Sequence, residues 1–171
     1  MQKLLYFFLF LVIFCFSCTT TEKIYSFQTS DGNQNYFLRP FEIKTSSNKV
    51  IKISMDFTVS VKEGSIVKNP ILNFSIFIPK EEKINTDNFY ISLVKDEIEC
   101  KIIQKDFLFR QIQKNNLEIR FTSELELQSF KDLLKDTNNI LIKVYFSENN
   151  FEEIHSKELD ERFMDLGFIL W

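Results

Sequence analysis

The sequence predicts a mainly β domain, an antiparallel β-sandwich of immunoglobulin-like outline, with one helix near residues 123–136. Three observations carry this. Residues 50–61 alternate apolar and polar with a period of two. Shorter runs of the same kind recur about 10 residues apart, broken by polar residues, which suits a sandwich or barrel better than βαβ units. Only the segment after Ser123 has clear helical spacing. An α+β sheet with the helix on one face is the alternative.

Taken in order, Tyr36 to Phe41 is a short first strand, with Pro40 limiting it to an edge because proline cannot donate to a ladder. Ile51, Ile53, Met55, Phe57, Val59 and Val61 form the apolar face of the clearest strand, and Lys62-Glu63-Gly64-Ser65 reads as its turn. After Pro70, Leu72, Phe74, Ile76 and Ile78 alternate with polar residues up to Pro79. Strands follow around Phe89–Leu93, Ile98–Ile102, Phe107–Phe109 and Leu117–Phe121. Ser123 and Glu126 match a capping box, with Leu127, Phe130, Leu133 and Leu134 as the helix's apolar stripe. Ile140, Ile142, Val144 and Phe146 alternate as a strand, residues 151–163 are ambiguous, and Leu166 to Trp171 reads as a closing strand. Twenty phenylalanines, five of them in the first 16 residues, supply ample filling for two inner faces.

The amino-terminal segment has a different character. One charge, Lys3, precedes an uncharged apolar run of thirteen residues, Leu4 to Phe16. As a helix it would span about 20 Å, short of the roughly 30 Å hydrocarbon core; it has the length of a secretory h-region, not of a membrane span. Small Ser17 precedes Cys18, and the chain turns polar at once. The run ending in Phe16-Ser17-Cys18 resembles the signal peptide of a bacterial lipoprotein. With Cys15 and bulky Phe16 before the small residue, it is similar to the loose boxes of spirochaetal lipoproteins. The resemblance implies cleavage after Ser17, lipid chains such as palmitate on Cys18, and a lipid-anchored location on a bacterial membrane, facing the periplasm or the cell surface. A cleaved signal peptide without lipid and an uncleaved anchor are the competing readings. The expected organisation is a signal peptide over 1–17, a lipidated terminus and flexible tether over 18–35, and one β-rich domain over 36–171.

Composition narrows the function. The chain carries 21 Lys+Arg against 24 Asp+Glu, and loss of Lys3 makes the remainder slightly more acidic, which argues against nucleic acid as a partner. Gly32, Gly64 and Gly167 are too dispersed for a phosphate-binding loop or a G-x-S-x-G elbow. One histidine cannot build most metal or triad sites. His155 and Glu158 would share a face if residues 155–158 were helical, amid Glu152, Glu153, Asp160 and Glu161, but no second nitrogen or sulfur ligand is at hand; a solvated acidic surface is the simpler reading. Asp56 and Glu99 are expected on the polar sides of their strands, in solvent, and not as a catalytic carboxylate pair. Cys100 alternates with Ile98 and Ile102 and is expected as a buried, inert thiol. Asn73-Phe74-Ser75 spells a glycosylation acceptor but lies within a strand pattern. The aromatics interleaved with cations at Tyr36–Arg39 and Phe107–Arg110 read as core packing before they read as stacking platforms.

No catalytic residue, metal site or cofactor is therefore expected. The expectation is a non-catalytic, membrane-anchored binding module for a surface ligand or protein partner, with the Lys80–Asp87 loop and the 147–161 region as contact surfaces. A periplasm-facing accessory lipoprotein, docking on an envelope complex through a sheet edge or the helix face, is the alternative.

Overall fold

Alternation along the strands sorts the side chains onto two faces, and the apolar face of one large sheet is the floor of the core. The computed structural model describes residues 23–46, 50, 52–82, 85–147 and 149–170. The signal segment, Cys15 and Cys18 lie outside the described residues. The elements are β1 (Ile24–Gln28), β2 (Gln34–Lys44), β3 (Lys52–Lys62), β4 (Ser65–Ile66), β5 (Ile71–Pro79), β6 (Tyr90–Lys95), β7 (Ile98–Cys100), β8 (Ile102–Gln113), β9 (Asn116–Leu125), α1 (Leu127–Lys135), β10 (Leu141–Ser147), β11 (Asn150–His155) and α2 (Lys157–Leu170). The larger sheet runs β1-β2-β3-β5-β9-β8, with β4 added to β3; the smaller runs β11-β10-β6-β7. Every pairing is antiparallel. The result is the expected mainly β, sandwich-like arrangement of two sheets, with two helices rather than one.

Phenylalanines join the layers. Phe89, just before β6, lies 6.2 Å from Phe74 of β5 and 6.5 Å from Phe121 of β9, between ring centroids. Phe163 of α2 meets Phe57 of β3 edge-on at 5.4 Å and Phe130 of α1 at 5.5 Å. The small sheet and the helix pair thus pack on different strands of the large one. All six of these rings are fully buried.

Local rules explain the turns. Glu63 and Gly64 have φ of 52° and 75° between the paired Lys62 and Ser65, so a two-residue hairpin forms where a left-handed conformation is needed twice. Pro40 lies at the register shift between Leu38 and Phe41, and the β1 pairing stops at Leu38. It therefore tolerates its missing N–H at an irregularity, in the part of β2 that runs past the end of β1 and pairs with β3 alone.

Three expectations are corrected. Residues 24–28, assigned to the tether, pair with β2 over their whole length, so the folded unit begins well before residue 36. The helix begins at Leu127, not at the expected capping box. Leu125 continues the inward alternation of β9 and is fully buried, and buried Ser123 donates to the carbonyl of Leu72 at 2.7 Å. Glu126 is itself the N-cap, accepting from the backbone N–H of Gln128 and Ser129 at 3.1 and 2.6 Å. Finally, residues 166–170 are helical. Leu159, Phe163, Leu166 and Leu170 are the buried stripe of α2, and their spacing of four, three and four is that of a helix.

Candidate functional site

The carboxy-terminal acidic cluster does not converge. His155 closes β11 and pairs its Nε2 with Asp160 Oδ2 at 2.9 Å, while Glu158 turns to Arg162 at 2.9 Å. Glu152 accepts from the N–H of Ser46 at 2.7 Å, Glu153 faces Lys143 at 3.6 Å, and Glu161 pairs with Lys23 at 2.5 Å. Asp160 also accepts from the N–H of Ile140 at 3.0 Å. These carboxylates brace the fold.

Asp56 is not solvated as expected. It is 2% exposed, paired with Arg120 at 2.6 Å and accepting from Asn73 Nδ2 at 2.7 Å. The amide of the Asn73-Phe74-Ser75 sequence is thus engaged inside the large sheet. Glu99 is partly buried and accepts from Ser92 Oγ and Tyr145 Oη, each at 2.8 Å. Burial pushes its carboxyl up, but those hydrogen bonds together with Lys101 and Lys143 hold it below the usual carboxylate range. Cys100 is fully buried with Sγ 3.6 Å from the carbonyl of Glu126, and burial, with the Glu126 charge adding, pushes the thiol up to about 12.

Two surfaces stand out. The first is β8, which ends the large sheet opposite β1. It is twelve residues long, and no residue beyond Lys105 along it is more than partly covered. Phe107 is 58% exposed and Ile112 60%, with Ile103, Leu108 and Phe109 also exposed. The core-packing expectation for Phe107–Arg110 is overturned. It holds better for Tyr36–Arg39, where Leu38 is buried and Arg39 stacks over Tyr25 at 4.2 Å. From Asp106 to Gln113 residues on both faces of β8 are exposed, so alternation there does not sort a core face from a solvent face. Register shifts at Ile102/Gln104 and Phe107/Phe109 mark two irregularities along it.

The second is a cleft of about 450 Å³ lined by Asp87, Asn88, Tyr90, Ser147 and Asn149. It lies where the two predicted contact regions meet, the end of the Lys80–Asp87 loop and the start of the 147–161 segment. Lys105 holds one wall, donating from Nζ to the carbonyls of Thr86 and Phe89 at 2.7 and 2.6 Å. Burial lowers the pKa of Lys105, opposed by the nearby Asp87. Beside the cleft, Tyr90, Tyr145 and Phe151 are in register across three strands. Tyr90 stacks on Tyr145 at 4.0 Å, Tyr145 lies 5.5 Å from Phe151, and Lys143 Nζ sits 4.0 Å over Phe151. The ladder could have been found from sequence only with the register in hand.

Among the described residues, no group of three or more His, Cys, Asp or Glu is placed to hold a metal ion, and no helix is long and apolar enough to cross a membrane. No family model, no curated protein and no solved structure matches the chain.

Proposed function

We propose that this chain is a lipid-anchored lipoprotein of the bacterial envelope that acts as a non-catalytic binding module, adding an extended segment of a protein partner to β8. The edge of β8, beside which no strand lies among the described residues, carries the reading. An edge strand presents a row of backbone donors and acceptors to any strand laid beside it, and the side chains on either face give such a pairing its selectivity. The occupant is an extended segment with apolar and acidic residues. Phe107, Leu108 and Ile112 offer apolar contacts, and Arg110 with Lys114 in the following turn supplies positive charge in a chain that has more acids than bases.

The layout suits an anchored module. Lipid on Cys18 would be joined to Lys23 through four residues, Thr19 to Glu22, whose five Cα–Cα steps reach about 17 Å. Lys23 leads into β1, the edge opposite β8. Five strand spacings, about 24 Å, separate the two edges, so β8 is the edge farther from the attachment point.

The test is crosslinking in intact cells. A photo-reactive residue replaces Leu108 in one full-length variant and Thr58, on the polar face of the large sheet, in another. A crosslinked envelope protein from position 108 and none from position 58 is expected. Equal adducts from both, or none from 108, refute the edge as the contact surface. An adduct to a second copy would make the partner this chain itself.

A further inference from the structure

The cleft has the chemistry of a ligand site independent of the β8 edge. Its walls present two amides, a hydroxyl and one carboxylate, from Asn88, Asn149, Ser147 and Asp87. Amides and hydroxyls both donate and accept, and a carboxylate accepts twice, which matches the paired donor and acceptor character of neighbouring hydroxyl groups. Tyr90 adds an aromatic surface to the lining. Its ring is held by the 4.0 Å stack on Tyr145, whose own hydroxyl is fixed by Glu99 at 2.8 Å. Such a surface packs against the C–H face of a sugar ring while the walls take its hydroxyls.

The remaining features narrow the class. Among the described residues none that lines the cleft is a cation, and Lys105 behind the wall is taken up by the carbonyls of Thr86 and Phe89, so a phosphate or carboxylate ligand would meet Asp87 with no lining cation to pair with. The polar walls do not suit an acyl chain. The volume, about 450 Å³, is in the lower part of the range for small-molecule sites. One wall is organised in advance: Lys105 clamps the carbonyls of Thr86 and Phe89, and the N–H of Asp87 donates to Asn85 Oδ1 at 3.1 Å. Ordering of residues 85–89 is therefore not left to the ligand.

The geometry points to a site for a neutral saccharide of one or two pyranose rings, with Asp87, Asn88, Ser147 and Asn149 binding hydroxyls and Tyr90 supporting a ring face. The site requires no catalysis.

The experiment is a saturation-transfer NMR titration of the full chain in a detergent without a sugar headgroup. The probes are methyl β-glucoside, methyl β-galactoside, N-acetylglucosamine and cellobiose, with choline chloride and inorganic phosphate as charged alternatives. Saturable binding of at least one saccharide is expected, with Kd on the order of 1 mM. Asp87→Ala and Asn149→Ala, both at exposed positions, should each weaken it at least about tenfold with the melting temperature unchanged. Leu108→Lys on β8 should leave it intact. Absence of binding by all four saccharides overturns the proposal. So does saccharide binding that both cleft variants leave unchanged, which places it elsewhere. Choline or phosphate binding in place of the saccharides also overturns it, and assigns the cleft to a charged ligand.

Discussion

Phe89→Ala tests whether the two sheets form one cooperative core. Phe89 is fully buried, with ring centroids of Phe74, Phe121 and Phe146 at 6.2, 6.5 and 6.0 Å. Two of those rings belong to the large sheet and one to β10 of the small sheet, so this side chain is a junction between layers. Phe→Ala in a core typically costs about 3–5 kcal/mol through lost transfer energy and the cavity left behind. Aromatic pairs add about 0.5–1.5 kcal/mol beyond area, which places this site in the upper part of that range, about 4 kcal/mol. Against a total stability of about 5–15 kcal/mol, that is a large fraction. With a urea slope of about 2 kcal/mol/M, the unfolding midpoint falls by about 2 M. The assay is urea unfolding followed by both far- and near-ultraviolet circular dichroism. Ile112→Ala on β8 is the control and should stay within about 0.5 kcal/mol. A midpoint change below about 0.5 M for Phe89→Ala, or separate transitions by the two probes, would refute the junction and make the small sheet an independent layer.

Four further outcomes follow from the same structure. Asp56→Ala strands Arg120 beside Ser75; because Arg120 is partly exposed, the loss should be about 2 kcal/mol, below that of a fully buried pair, and is read by thermal melting. Glu126 is held below the ordinary carboxylate range by hydrogen bonds from Ser129 and the N–H of Gln128, so its stabilisation is present above that range and disappears as pH falls through its folded-state pKa. The difference in melting temperature between the wild type and Glu126→Ala should therefore be full above the ordinary glutamate range and narrow as pH falls through and below it. Cys100, with its thiol pushed up to about 12, is almost wholly protonated at about pH 8; peptide mapping after alkylation should find it unmodified in the native protein and modified in urea. Phe107→Lys should leave the melting temperature within a few degrees while removing the envelope crosslink obtained from position 108.

The strands that alternate apolar and polar residues were the legible part of this fold. β3 and β5 announce themselves because Ile53, Met55, Phe57, Leu72 and Phe74 are apolar and the residues alternating with them polar, although Asp56 and Ser75 among those are buried too. β1 escaped notice because an edge strand partly exposed along its length carries little hydrophobic alternation. α2 is less legible because its stripe, Leu159, Phe163, Leu166 and Leu170, runs into the apolar end of the chain, where Phe168 and Ile169 mask the helical spacing. The start of α1 was misplaced because Ser123 and Glu126 have capping-box spacing whether or not the ladder of β9 has ended. The cleft was half legible: its two contributing segments were singled out as contact regions, but their meeting depends on β6 and β10 pairing with Tyr90 opposite Tyr145. Such a register is a tertiary fact, absent from any local pattern.

The two ends of the large sheet are finished differently. At the β1 edge, Lys23 pairs with Glu161 of α2, and Arg162 donates to the Lys23 carbonyl at 2.7 Å, so a helix is tied against that end. At the β8 edge no described strand or helix takes this position. Its protection is limited to the charges of Lys105, Asp106 and Arg110 and to the two register shifts, devices that discourage random edge pairing. Those devices conflict with five exposed apolar residues on the same strand, which increase the tendency to associate. A solitary domain would gain solubility by replacing Phe107, Leu108 and Ile112 with polar residues, at little cost to a core they barely enter. The conflict is resolved if the apolar residues serve an intended strand while the irregularities and charges reject others. On that logic Phe107→Lys and Leu108→Lys should improve solubility and abolish partner capture together. A variant that gained solubility and kept its partner would separate the two roles and remove β8 from the interface.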